Sequence, residues 1–209
     1  MPFDIEGQKA FQNFIDTFKL NEQQVDQFKL YLSLLLTARK QFNLTAISTI
    51  ADTVDYHFKD SLALSAFMDL TKVTMIADVG TGGGFPGIPL KILFPHLAVV
   101  LIEVSSKKID FLTDVIDQLK LENVEISSLD WRTFLRKARF PIDLFVARAS
   151  LHTDQLLRMF QPSCYFQDAT LAYWASRHWI MAKEEEQFFS KECDYLIQHK
   201  QRKIFLFKA

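Results

Sequence analysis

Apolar positions recur along this chain first at a helical period and then in short blocks. Phe11, Phe14, Ile15 and Phe18 form one stripe. Val25, Phe28, Leu32, Leu35 and Leu36 form a second, and both spacings predict helices with one buried face. A third helical stretch is predicted from about Ile50 to Met68, carrying His57, Asp60 and Ser61. From residue 73 the pattern changes to strand–helix alternation, which predicts a parallel α/β sheet. The predicted strands are Val73–Val79, Ala98–Ile102, Val124–Ser127, Ile142–Val146 and Leu171–Trp174. Predicted helices intervene at about Gly87–Phe94, Lys107–Leu119 and Asp154–Phe160. The tail predicts an antiparallel pair, Asp194–His199 and Lys203–Phe207, around a turn at Lys200–Arg202.

The expected organisation is an N-terminal helical cap (1–70) packed on an α/β domain (71–209), with no linker between them. Nothing between the two regions is rich in Pro, Gly or Ser. With 209 residues and about half of them apolar, twenty being Phe, a sizeable core is assured. The net charge of −1 provides no global basic field, although Lys107-Lys108, Arg136-Lys137-Arg139 and Lys200 with Arg202-Lys203 are local basic clusters. Cys164 and Cys193 have neither metal-site spacing nor a partner motif, so no metal site is expected. The start of the chain lacks a signal-peptide pattern, and no apolar run approaches a membrane span. A soluble cytoplasmic monomer without a membrane partner is the expectation.

Five of the six glycines fall in residues 80–87, directly after the first predicted strand. Glycines there let backbone curl under a ligand at contact distance. Glu103 ends the second predicted strand, where a carboxylate can accept from two ribose hydroxyls. A dinucleotide pattern occurs as Gly82-Gly83-Gly84-Phe85-Pro86-Gly87, but it starts too far past the strand for its tight turn. The earlier frame, Asp78-Val79-Gly80-Thr81-Gly82-Gly83-Gly84, fits better. Its acid suits a ligand with a cationic amino-acid end, which favours S-adenosylmethionine over a nicotinamide or flavin dinucleotide. Asp130 and Trp131 follow the third strand, where an acid can accept from an adenine amine and an aromatic can lie on the ring.

Neither cysteine sits at a strand end facing the loop, which disfavours a pyrimidine-C5 adduct. After the fourth strand stands Ala147-Arg148-Ala149-Ser150 rather than the polar-Pro-Pro-aromatic stretch of exocyclic-amine methylation. Arg148 donates hydrogen bonds and cannot serve as a base. Guanine N7 is a ring lone pair that needs no deprotonation, so a site without an obvious base suits it.

Asn43-Leu44-Thr45, His57-x-x-Asp60-Ser61, DVGTGGGFPGIPL, Lys107-Lys108 with Phe111-Leu112, and Arg148-Ala149 together resemble the bacterial 16S rRNA guanine-N7 methyltransferases, the RsmG/GidB family. The resemblance runs from about residue 25 to 150, with a weaker echo in RKIFLFK. It implies a Rossmann-like S-adenosylmethionine-dependent methyltransferase fold with a mostly parallel sheet and an N-terminal helical cap. It also implies methyl transfer to a guanine N7 in the decoding-region loop of 16S rRNA, on free rRNA or the small ribosomal subunit. Expected cofactor contacts are Gly80, Thr81, Gly82, Gly84, Phe85, Glu103, Asp130, Trp131, Arg132 and Arg148. Arg148 is also the candidate for positioning substrate or donor, with His57 and Asp60 a polar pair on the cap. The chain departs from the family pattern at Tyr56, Arg132, Ser150 and Tyr173-Trp174-Ala175. Those departures keep open a non-catalytic ribosome-assembly protein, and the dinucleotide pattern in the glycine loop keeps open an NAD-binding oxidoreductase.

Overall fold

The computed structural model describes residues 4–39, 49–176 and 178–209. Asn43-Leu44-Thr45 lies outside them.

The chain begins with α1 (Ile5–Phe18), capped by Asp4, whose side chain accepts from the Gly7 amide. In α2 (Glu22–Ala38) Asn21 and Gln24 form a reciprocal capping box, which satisfies two amide donors at the helix start. The predicted third helix is present but irregular. A turn of α-helix, α3 (Ile50–Thr53), passes into a π-helical turn (Val54–Lys59), then α4 (Asp60–Leu62) and a 3-10 turn (Ala63–Ala66). Hydrophobic periodicity predicts that a stretch is helical and is blind to an inserted residue. π-turns of this kind concentrate at functional sites.

The α/β region contains β1 (Met75–Val79), α5 (Gly87–Leu93), β2 (Ala98–Ile102), α6 (Ser106–Leu119), β3 (Val124–Ser127), α7 (Trp131–Lys137), β4 (Leu144–Arg148), α8 (Thr153–Leu156) and β5 (Thr170–Ala175). Helix α7 has no counterpart among the predicted elements, because its seven residues span less than two turns of the apolar pattern. Strand β4 lies two residues later than predicted, so Arg148 is the last residue of a rigid strand and not part of the following loop. The tail forms β6 (Phe189–Ile197) and β7 (Lys200–Phe207). Their turn is Gln198-His199, tighter than predicted, with Gln198 at φ 56°.

The strands form one seven-stranded sheet in the order β3-β2-β1-β4-β5-β7-β6. β1 to β5 are parallel, and β7 joins β5 antiparallel, pairing Trp174 with Ile204. One face packs on α1, α2, α5 and α6 around Phe14, Phe28, Phe58 and Leu112. The other packs on α7 and α8 around Phe134, Phe145 and Phe166. Burial on both faces explains why the central strands β1, β2, β4 and β5 read as largely apolar blocks without alternation, whereas the edge strand β3 alternates and is only partly buried. Strand order reverses between β1 and β4, and open α/β sheets bind ligands in the crevice outside the strands' carboxyl ends at such a reversal. Gly80 follows β1 and Arg148 ends β4, so the two stand on either side of it.

Candidate functional site

The glycine loop is held from within. Asp78, inside β1 and fully buried, accepts through Oδ2 from the Thr81 hydroxyl at 2.6 Å and the Gly87 amide at 2.7 Å. Burial raises its pKa to about 7. Its carboxylate thus closes the loop onto the start of α5 and does not face a ligand's ammonium, as the sequence frame had suggested. Thr81, also buried, commits its hydroxyl to the same carboxylate.

The loop glycines divide by what their missing side chains would meet. A Cβ on Gly84 would lie 2.5 Å from Ile88 and 2.7 Å from the Tyr31 hydroxyl, and one on Gly87 would strike Leu101 and Asp78. Those two are required by packing. On Gly80 a Cβ would come within 2.6 Å of the Ser150 side chain across the strand reversal. Gly82 differs, because at φ +61° its nearest neighbour is the Gly80 carbonyl at 3.9 Å. It borders open space, which is the cradle a bound ligand needs. Beneath the loop, Tyr31 of α2 donates to the Gly83 carbonyl at 2.5 Å. Nothing in the sequence singled out Tyr31, since a tyrosine on an apolar helical stripe looks like core.

Two adjoining hollows open over this loop and share Gly80, Lys108 and Ala149. The smaller, about 340 Å³, is walled by Gly80, Glu103, Asp130, Trp131 and Ser150. Glu103 accepts from the Gly82 amide at 3.1 Å and from the Val104 and Ser105 amides at 3.0 Å, with Lys108 Nζ 3.6 Å away. Asp130 has its own task, capping α7 by accepting from the Thr133 amide and hydroxyl. Trp131 is largely core. Its indole N–H donates to the Gln155 carbonyl at 2.8 Å, and its ring packs on Phe134 and Phe145. Arg132 departs from expectation. It is exposed and turns to a separate cleft on the outer side of α7, so the structure does not bring it to the glycine loop.

The larger hollow, about 710 Å³, is lined by Tyr56, His57, Asp60, Gly82, Phe85 and Arg148 among others. Arg148 is held on three sides. Nη1 donates to Asp60 Oδ2 at 2.8 Å and to the Tyr56 carbonyl at 3.0 Å, while Nη2 contacts His57 Nδ1 at 3.1 Å. Because Arg is only a donor, His57 Nδ1 must accept, which places the imidazole proton on Nε2. Burial, aided by the Arg148 charge, lowers the His57 pKa to about 3. The ring stacks on Phe85 with centroids 4.4 Å apart, and the guanidinium carbon of Arg148 lies 5.1 Å from the same ring. Asp60 also accepts from the Tyr195 hydroxyl at 2.7 Å, and its carbonyl accepts from the Trp174 indole at 2.9 Å. Trp174, where the sequence departs from the family pattern, therefore supports Asp60. Ala149, between Arg148 and Ser150, is held at φ 52°, a strained conformation for a residue with a Cβ. The hairpin brings Lys200 over the Tyr56 ring at 4.4 Å, a contact invisible to local sequence patterns.

The sequence matches one known family over most of its length, with the model of rRNA small subunit methyltransferase G covering residues 24–205. The chain belongs to that family. Relatives named ribosomal RNA small subunit methyltransferase G include one from Onion yellows phytoplasma, 38% identical over 73% of this chain and 72% of its own length. Another, from Aster yellows witches'-broom phytoplasma, is 44% identical over 54% of each chain, so the match spans about half of that relative. The fold is shared more widely. A SAM dependent methyltransferase from Aquifex aeolicus superposes with a TM-score of 0.54 at 15% identity, covering 83% of this chain and 97% of that one. The family's glycine loop and the two hollows at the strand reversal thus sit on a methyltransferase-type sheet. Among the described residues, no helix is long and apolar enough to cross a membrane.

Proposed function

We propose that this protein transfers the methyl group of S-adenosylmethionine to N7 of a guanine in the decoding-region loop of 16S rRNA, as free rRNA or within the small subunit. The observation that carries the reading is Gly82, open to space above the Glu103 carboxylate at the strand reversal, in a chain of this family. When bound, S-adenosylmethionine supplies an electrophilic methyl on sulfonium. Glu103 lies at a strand end, and beyond its three amide bonds it keeps acceptor capacity on Oε2 for one ribose hydroxyl. Gly80 and Gly82 give the donor its backbone floor, Asp130 and the edge of Trp131 bound the adenine end, and Phe85 with Arg148 closes the methionine side. Held by Asp60, Arg148 presents a fixed donor fork to the guanine's O6 edge or to a phosphate. His57 stays neutral at physiological pH, so it adds no positive charge beside a sulfonium. N7 attack needs no base, and positioning at the Arg148–Phe85 wall supplies the rate.

The test is calorimetry with S-adenosylmethionine, S-adenosylhomocysteine and NADH, followed by methylation of small subunits that lack the modification and mass analysis of their nucleosides. The expected result is donor binding and 7-methylguanosine formation, both lost in Glu103→Ala. NADH binding without donor binding would overturn the reading in favour of an oxidoreductase. Donor binding with no methyl transfer to rRNA or subunit would leave a non-catalytic assembly protein.

A further inference from the structure

Outside the two hollows, positive charge gathers in one place that the methyl-transfer site does not use. A cleft of about 910 Å³ on the outer side of α7 is lined by Arg132, Arg136, Arg139 and Arg158, with Tyr165 at its edge. Arg132 and Arg136 stand four apart on α7 and so share a face. Among the described residues, no carboxylate lies within ion-pair distance of any of these arginines, whereas Lys59, Lys108, Arg148 and Lys203 all have one. Asp130, whose carboxyl feels the Arg136 charge, is occupied as the cap of α7. Tyr165 is 52% exposed, and the Arg139 guanidinium lies 5.3 Å from its ring.

We propose that this cleft docks the phosphate backbone of RNA outside the methyl-transfer site, with Tyr165 stacking an unpaired base. The proposal deepens the functional reading above and rests on it for the identity of the substrate as RNA. Every cation here is Arg, whose planar fork grips phosphate in a bidentate manner where Lys offers a point charge. Guanidinia without a carboxylate partner beside an exposed aromatic are the combination that holds single-stranded nucleic acid, and Arg139, which donates from Nη1 to the Ala138 carbonyl at 2.6 Å, has further N–H donors to offer. In a chain of net charge −1, such a concentration creates a local field that the whole surface lacks. The geometry is continuous with the site. Asp130 and Trp131 wall the donor hollow at the start of α7, and a seven-residue helix is roughly 10 Å long, so one RNA strand reaches both.

The experiment measures anisotropy of a labelled 16S rRNA fragment carrying the decoding loop, titrated with the full chain at several salt concentrations. Calorimetry with S-adenosylhomocysteine runs in parallel as an independent readout. The triple variant Arg136→Gln, Arg139→Gln, Arg158→Gln is expected to bind RNA at least tenfold more weakly. Its plot of log affinity against log salt should be shallower by about 2, three phosphates at roughly 0.7 each. Cofactor affinity should not change. Arg136→Gln alone should reduce the slope by roughly 0.7, which keeps the test open if the triple variant does not fold. RNA affinity and slope equal to those of the parent protein would overturn the proposal, as would failure of the parent to bind RNA. Lost binding to whole subunits with unchanged fragment affinity would also overturn it, assigning the cleft to a protein partner. A parent that binds no cofactor while the slope still falls would refute the proposed reaction and leave the cleft standing.

Discussion

Replacing Asp78 by Asn should change how stability varies with pH more than it changes stability itself. The carboxyl is fully buried in β1, and burial raises its pKa from 3.8 to about 7 against the opposing pull of Thr81, Gly87 and Arg148. As pH rises through 3.8 the unfolded chain releases this proton while the folded chain keeps it until about 7. The folded state therefore binds more protons across that window, and stability falls as pH rises. At about 1.36 kcal/mol per pH unit, the full loss is roughly 4 kcal/mol, of which roughly 2–3 kcal/mol falls between pH 5 and pH 8.

Asparagine cannot ionise, and its carbonyl oxygen can accept from both Thr81 and Gly87 as Oδ2 does. Its amide nitrogen takes the place of Oδ1, which has no partner among the described residues, so any penalty there is independent of pH. Urea unfolding of the parent and Asp78→Asn at pH 5, 6, 7 and 8 measures the difference directly. All other titrating groups are common to both chains and cancel to first order. The free-energy difference should move by roughly 2–3 kcal/mol in favour of the variant from pH 5 to 8. A difference that stays constant within about 0.5 kcal/mol would show that Asp78 ionises normally and would refute the raised pKa ascribed to its burial.

Other expectations follow from the same geometry. His57 has the opposite sign: the unfolded chain takes up a proton near 6.5 and the folded one only near 3, so stability falls as pH drops through that interval. His57→Gln should therefore flatten the acid limb, by roughly 3 kcal/mol at most at pH 4, in the same urea series. Gly82→Val should fold with a melting temperature a few degrees lower, because φ +61° strains a β-branched residue, yet lose at least 100-fold in S-adenosylhomocysteine affinity by calorimetry. Unchanged affinity would mean that the open space beside Gly82 is not the ligand's. Tyr31→Phe leaves the buried Gly83 carbonyl without its donor and should cost about 1–3 kcal/mol in urea unfolding. Arg148→Ala strands the Asp60 carboxylate and should cost about 3–5 kcal/mol, with Arg148→Lys retaining most of the stability but little methyl transfer.

The fold was legible wherever burial is two-sided or follows a helical period. Strands β2 and β3 were predicted to the residue, β2 as a short apolar block bounded by polar turns and β3 by the alternation of Val124 and Ile126 with Glu125 and Ser127. The misplacement of β4 has a local cause. Phe140, Pro141 and Ile142 are apolar, yet they approach the strand without pairing in it, and pairing begins only where Leu144 meets Ile76 and Thr170. Helix α7 went unseen because its evidence is a cap, Asp130 to Thr133, in a residue that the ligand argument had already claimed. One side chain can satisfy a cap and border a hollow, and sequence alone cannot rank the two.

The donor half of the site was more legible than the rest for a physical reason. Its chemistry is written in backbone, as glycines that follow a strand, and a local string of residues records backbone conformation well. Even there, the string did not separate glycines required by packing from the one that borders open space. Gly84 and Gly87 are demanded by Tyr31, Ile88, Leu101 and Asp78, and only distance geometry distinguishes them from Gly82. The other half is written in side chains drawn from distant segments. Arg148 meets Asp60 across 88 positions, and Tyr195 reaches the same carboxylate across 135. No periodicity or motif encodes such a pairing, since each partner is locally an ordinary polar residue. Trp174 makes the point most clearly. Read in sequence it was a departure from the family pattern, but in the fold its indole N–H secures the backbone of the aspartate that holds Arg148. The departure from the family pattern thus reinforces the Arg148 anchor, and it shifts the question of acceptor positioning from β5 to the cations of the hairpin and of the α7 cleft.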